Sequence, residues 1–173
     1  MDSQKLKSFI RDIPNFPKEG IIYKDITPLL AHPLAIQSAV DIMAAPYKND
    51  RIDFVAATEA RGFLFGPSMA TYLDAGFIPV RKPGKLPSEV ISHTYDLEYG
   101  SDTLQIHKNA LFPGAKVLIV DDLLATGGTM NATKNLVEDI GGEVVGYSFL
   151  IELAYLKGRE VLGNPRINAV IEY

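Results

Sequence analysis

Two adjacent carboxylates, Asp121 and Asp122, follow the apolar run Val117-Leu118-Ile119-Val120. After Leu123-Leu124 come the small residues Ala125-Thr126-Gly127-Gly128-Thr129. With little side-chain bulk, the backbone over 125–129 can approach a ligand closely. Its amides lie where a helix should start, with two threonine hydroxyls beside them, and such a place suits a phosphate monoester. Carboxylates a few ångströms from a phosphate repel it. They make sense if the same ligand also presents hydroxyl donors or a metal ion. Ribose 5-phosphate offers both ends: a phosphate for the loop and vicinal hydroxyls for Asp121 and Asp122. The plain alternative is a strand-to-helix turn in which Thr126 or Thr129 caps the helix. The acidic pair weighs against it, because open α/β sheets bind ligands beyond the carboxyl ends of their strands.

Other chemistries are missing. No Gly-x-Gly-x-x-Gly follows a strand, and there is no Gly-x4-Gly-Lys-Ser/Thr. The chain has no cysteine, which removes disulfides, thiolate zinc sites and cysteine nucleophiles. His32, His93 and His107 show no metal-ligand spacing and read as surface or loop histidines, and His93 falls in the long segment 81–102, from which it could touch a ligand. Asn131-Ala132-Thr133 fits a glycosylation sequon, but it falls on a predicted helix. Arg81, Lys82 and Lys85 form the dense basic cluster near a loop, and a solvated surface is the ordinary fate of such a run.

These residues need a scaffold. Ser3 can cap a helix over about 3–12, with Leu6, Phe9, Ile10 and Ile13 at helical spacing and Pro14 and Pro17 stopping it. Residues 20–25 read as a loop or short strand. Pro33 suits a helix first turn, and Ile36, Val40, Met43, Ala44 and Tyr47 then share a face. Strands are predicted at 53–57, 77–80, 117–121, 144–151 and 167–171, with helices at 62–74 and 129–140. Phe63, Leu64 and Phe65 read as core packing. Continuous apolar strands separated by helices mean a parallel sheet covered on both faces. Residues 81–102 break the alternation, and a segment this long is usually a binding loop. Within it Tyr95, Leu97 and Tyr99 alternate, and Gly100-Ser101-Asp102 can turn into 103–107, which reads as a protruding hairpin.

Length and composition bound the rest. At 173 residues the chain is expected to be one domain, 1–173, large enough for a real core. Its apolar runs fall short of a membrane helix, and the start Met1-Asp2-Ser3-Gln4-Lys5 lacks a signal-peptide core, so a cytoplasmic protein with no membrane partner is expected. A net charge of −4 argues against nucleic acid as a general partner.

The 117–129 segment resembles the phosphoribosyl pyrophosphate (PRPP) signature of the type I phosphoribosyltransferases. Three further segments resemble the adenine-specific branch of that family: Gly20-Ile21-Ile22-Tyr23-Lys24-Asp25-Ile26-Thr27-Pro28-Leu29-Leu30, Glu59-Ala60-Arg61-Gly62-Phe63-Leu64-Phe65-Gly66, and Arg81-Lys82-Pro83-Gly84-Lys85-Leu86-Pro87 continuing to Tyr95-Asp96-Leu97-Glu98-Tyr99-Gly100. The likeness spans about residues 14–160. It implies an α/β fold with a central parallel sheet flanked by helices and a flexible β-hairpin hood (about 81–108), and an N-terminal base-binding segment (about 14–30). The activity implied is adenine + PRPP → AMP + pyrophosphate. Mg²⁺ would be the cofactor, held mainly through PRPP with no dedicated protein cage. The implied assembly is a homodimer whose loops complete the neighbour's site.

Residue by residue, the resemblance puts the 5′-phosphate on Ala125, Thr126, Gly127, Gly128 and Thr129, and the ribose and Mg²⁺ at Asp121 and Asp122. Pyrophosphate falls to Glu59, Ala60, Arg61, Arg81, Lys82, Lys85 and Tyr99, partly across the dimer interface, and the Arg61 guanidinium can hold a phosphate oxygen pair. Adenine lies between Tyr23 and Leu153, with main-chain groups around Ile22 and Lys24 reading its edge. Catalytic work falls to Glu98, Asp122 and Arg61, with Glu98 on the hood placed to accept the N9 proton or donate to N7. Tyr23, Lys24 and Glu59-Ala60 stand where phenylalanine, arginine and Asp-Ser are common in the family, changes that keep the chemical type. Two other readings are a phosphoribosyltransferase for another purine base and a PRPP-sensing regulator that binds nucleic acid.

Overall fold

Pairing between distant residues decides the first segment of the chain. The computed structural model describes residues 1–96 and 100–173. Helix α1 (Ser3–Lys7) has five residues, and Asp2 rather than Ser3 caps it, its carboxylate accepting the Lys5 amide at 2.8 Å. The helical spacing of Leu6, Phe9 and Ile10 still brings all three to the core. Past Lys7 the chain leaves the helix, and by Arg11 it is extended. Strand β1 (Arg11–Pro14) pairs antiparallel with β2 (Ile22–Asp25), which the sequence left open between loop and strand.

Asp25 ends β2 and starts α2 (Thr27–Leu30), its carboxylate accepting the Thr27 amide at 2.9 Å and an Arg11 N–H at 2.6 Å. The Thr27 amide first, then Arg11, hold the Asp25 carboxyl down at about 2. Helix α3 (Pro33–Ala44) follows, with the His32 ring accepting the Ala35 amide at its start. It buries Val40, Met43 and Ala44, Tyr47 lies buried just beyond it, and Ile36 packs at the margin.

Strand β3 (Phe54–Thr58) leads into a 3₁₀ turn, Arg61–Leu64, before α4 (Gly66–Tyr72) restarts with Pro67 in its first turn. The single helix expected over 62–74 is therefore two pieces. Phe65 is fully buried while Leu64 is exposed, so the aromatic run 63–65 is only partly core. Next come β4 (Gly76–Val80), β5 (Val90–Asp96), β6 (Ser101–His107), β7 (Lys116–Leu124), α5 (Gly128–Asp139), β8 (Glu143–Glu152), α6 (Gly158–Val161) and β9 (Ile167–Glu172).

Five strands form one parallel sheet in the order β4-β3-β7-β8-β9. Alternation along the central β7 splits the core. Leu118 and Val120 face Met43, Phe65 and Met69 of the α3–α4 side, while Val117 and Ile119 join Met130, Leu136 and Val137 of α5 on the other. Each such fully buried side chain contributes about 1.5–3 kcal/mol. The sheet with helices on both faces is the architecture the resemblance implied.

The β5–β6 hairpin is also present, but its base does not stand free. Leu104 and Ile106 of β6 are buried in the α5-side core. Arg81 and Gln105 exchange backbone hydrogen bonds at 2.9 and 2.7 Å, and His93 meets the Asn135 amide of α5 at 3.1 Å. The expected residues Leu97, Glu98 and Tyr99 lie outside the described residues. Among the described residues no helix is long and apolar enough to cross a membrane.

Candidate active site

Strand β7 runs past its apolar stretch to Leu124, because Leu123 and Leu124 continue the pairing with Ile151 and Glu152 of β8. Asp121 and Asp122 are thereby held in strand geometry at the carboxyl end of the sheet. They open onto a cleft of about 340 Å³. Residues 58–61 form one wall, 121–130 the floor, and Lys82, Tyr95, Asp102 and Leu104 the hairpin side.

The loop 125–127 turns into α5 through Gly127, whose φ of +87° is one that residues with a Cβ rarely adopt. A Cβ there would also come 2.7 Å from the Gly158 carbonyl oxygen, and a Cβ on Gly158 would overlap the Ala125 carbonyl oxygen. Loop and α6 thus meet backbone to backbone. Arg159 fixes α6 by two hydrogen bonds to the buried Glu152, at 2.7 and 2.6 Å. Side chains tie the loop to its other neighbours. Thr133 Oγ1 donates to the Thr129 carbonyl at 2.9 Å and lies 3.1 Å from Thr58 Oγ1 on β3.

Charge is concentrated at the acidic pair. Arg61 Nε donates to Asp122 Oδ2 at 2.6 Å, and Nη1 donates to the Tyr23 hydroxyl at 2.6 Å. Asp121 accepts the Asp122 amide at 2.9 Å. Burial first, and the neighbouring Asp122 charge second, push the Asp121 carboxyl well above the usual range. Burial also raises Asp122, against the pull of Arg61. Two closely spaced acids share one arginine, so the pair is short of positive charge and open to hydroxyl donors or a cation.

Of the residues expected at pyrophosphate, Glu59, Ala60, Arg61 and Lys82 line this cleft. Lys82 is paired with Asp102 at 3.0 Å. Arg81 does not line it; its Nε donates to Glu59 at 2.6 Å. Lys85 is exposed, and its carbonyl accepts from Arg81. Tyr99 and Glu98 lie outside the described residues. The expected adenine residues are not among those that line this cleft. Tyr23 reaches it through Arg61, Leu153 donates its amide to the Leu124 carbonyl at 2.9 Å, and Ile22 is exposed. The Lys24 ammonium goes to Asp12 at 2.8 Å and sits 3.6 Å from the Tyr173 ring centre.

Sequence reasoning missed Tyr95, Asp102, Thr58 and the Gly158 support. Only Tyr95 carried a signal, its alternation with Leu97 and Tyr99. Among the described residues no three His, Asp or Glu side chains converge as a metal site. The two carboxylates nevertheless fit a divalent ion held chiefly by a ligand's own oxygens.

A model of the phosphoribosyl transferase domain matches residues 25–161. The chain is 56% identical to an adenine phosphoribosyltransferase of Pseudothermotoga lettingae over 97% of its own length and 99% of that protein's. Its fold superposes on the adenine phosphoribosyltransferase of Thermoanaerobacter pseudethanolicus with a TM-score of 0.96, at 50% identity and 99% coverage of both chains. For the enzyme from Saccharomyces cerevisiae, solved with adenine and an imino-altritol bisphosphate, the values are 0.91 and 42%, with 97% of each chain covered. With its cleft at the carboxyl end of β3 and β7, this chain belongs to the adenine phosphoribosyltransferases of the phosphoribosyl transferase family.

Proposed function

We propose that the chain transfers the 5-phosphoribosyl group of PRPP to adenine, giving AMP and pyrophosphate. The observation that carries this reading is the joining, in one cleft, of a glycine–threonine loop at a helix start with two buried carboxylates. A phosphate alone would be repelled by the acids. A ribose phosphate satisfies both.

In this reading the amides and hydroxyls of 125–129 hold the 5′-phosphate, and Asp121 and Asp122 accept the ribose hydroxyls. The C1–O bond to pyrophosphate breaks as positive charge builds on the sugar, and adenine N9 forms the new bond to C1 and loses its proton. Arg61 exchanges part of its hold on Asp122 for pyrophosphate oxygens, beside Lys82, Glu59 and Ala60. That exchange also loosens Tyr23, which we place with Leu153 on the adenine ring. Arg81, Lys85 and Tyr99 are assigned to pyrophosphate and Glu98 to the base proton. A bound Mg²⁺ would neutralise charge on the leaving group, with Asp121 and Asp122 nearby to help hold it. Arg81 and Lys85 stand off their own chain's cleft, as residues shared across a homodimer would.

Incubation with adenine, PRPP and Mg²⁺ should yield AMP and pyrophosphate by chromatography, with adenine preferred over hypoxanthine and guanine in kcat/KM. No AMP at micromolar enzyme overturns the reading. A preference for a 6-oxopurine overturns the choice of base.

A further inference from the structure

Among the described residues, the hairpin touches the proposed 5′-phosphate site at one polar point. Tyr95 of β5 extends to the start of α5, where its hydroxyl lies 3.2 Å from Thr129 Oγ1, and both residues line the cleft. The root of the hairpin is held at this height, since Leu104 and Ile106 are buried against α5 and His93 meets Asn135.

A threonine hydroxyl carries one proton. In the free chain either oxygen of the pair can donate. Phosphate oxygens on the 125–129 loop accept, so Thr129 must give its proton to them and keeps only lone pairs for Tyr95. Tyr95 can then only donate. We infer that Tyr95 is a positioning residue for the 5′-phosphate: its hydroxyl donates to Thr129 Oγ1, which donates to the phosphate. The inference rests on the phosphate reading of the loop. Each bond in such a chain polarises the next. Phosphate binding and the seating of the hairpin therefore reinforce each other, although Tyr95 itself need not touch the ligand.

The test separates ligands that carry the phosphate from those that do not. AMP and adenosine are titrated calorimetrically into the wild type and Tyr95→Phe, which removes one oxygen and keeps the ring. AMP affinity should fall about twofold, because the Tyr95–Thr129 bond exists in the free chain as well and only its strengthening by the phosphate is lost, with adenosine unchanged. Equal losses for both ligands, or no loss for AMP, overturn the inference. In a Thr129→Val background the further change Tyr95→Phe should have no effect on AMP; an undiminished effect overturns the relay. A wild type that binds AMP no better than adenosine refutes the phosphate reading itself and takes the inference with it. A preference for AMP that survives Tyr95→Phe in full refutes the inference alone.

Discussion

Arg61 with Asp122 and Arg159 with Glu152 are the same chemical pair at nearly the same depth. Both acids are 5% exposed, and the arginines are 32% and 39% exposed. Their surroundings differ. Arg159 grips both oxygens of Glu152 and also donates to the Ile167 carbonyl, so one cation meets one anion in a closed set. Arg61 is divided between Asp122 and the Tyr23 hydroxyl, and among the described residues Asp121, beside Asp122, has no salt bridge of its own. Both acids of that pair are pushed upward, Asp121 the further. The first pair is balanced and holds α6 under the loop. The second is left out of balance, which stores affinity for a ligand that brings hydroxyls and a cation.

The contrast is sharpest in stability. Glu152→Ala should cost about 3 kcal/mol, toward the low end for a buried pair because Arg159 can reach water. Thermal melts should then show Tm about 6–12 °C lower. A shift within 1–2 °C, roughly the noise of such melts for a domain this size, would mean that the Arg159 pair holds nothing. Asp122→Asn should do the reverse. It should lose about 100-fold in kcat/KM, the scale of one lost polar contact to the reacting group, with Tm hardly lowered. A melt as depressed as that of Glu152→Ala would make the Arg61 pair a scaffold after all.

A smaller effect tests what the Arg159 pair supports. Gly158→Ala crowds the Ala125 carbonyl, so the loop must shift. Steady-state kinetics should show KM for PRPP raised about tenfold with kcat little changed. An unchanged KM would mean that α6 does not set the loop. The mildest test is a slope. Because the Asp121 carboxyl is raised, the folded chain binds more protons than the unfolded chain between the ordinary aspartate value and the raised one. Stability therefore falls as pH rises through that interval. Denaturant titrations from pH 4 to pH 7 should show this decline, and Asp121→Asn should flatten it.

The same contrast explains what was legible in the sequence. The floor of the cleft is contiguous: Asp121 through Thr129 place acids, glycines and threonines on one strand, one loop and one helix start. Their types report the chemistry directly. The sheet was legible too, since apolar runs such as 117–120 have no other home. The proposed base site was legible only through the family resemblance. Its residues come from β2 and from Leu153, far apart in the chain, and the main-chain recognition assigned to Ile22 and Lys24 leaves no mark on residue type. The first helix failed for a related reason. Leu6, Phe9, Ile10 and Ile13 fit helical spacing, but pairing of 11–14 with 22–25 is a contact no local pattern encodes. Gly158 was silent because its partner, the Ala125 carbonyl, is 33 residues away and is backbone.

We place PRPP at the carboxyl end of β7. Amide hydrogen exchange with and without PRPP and Mg²⁺ tests this placement most directly. Protection should rise over 58–61 and 121–131. It should not change around Asn49, Asp50, Arg51, Lys116 and Arg166, a second hollow lined by three cations and one acid. Protection at that second hollow with none at 125–129 would contradict the claim.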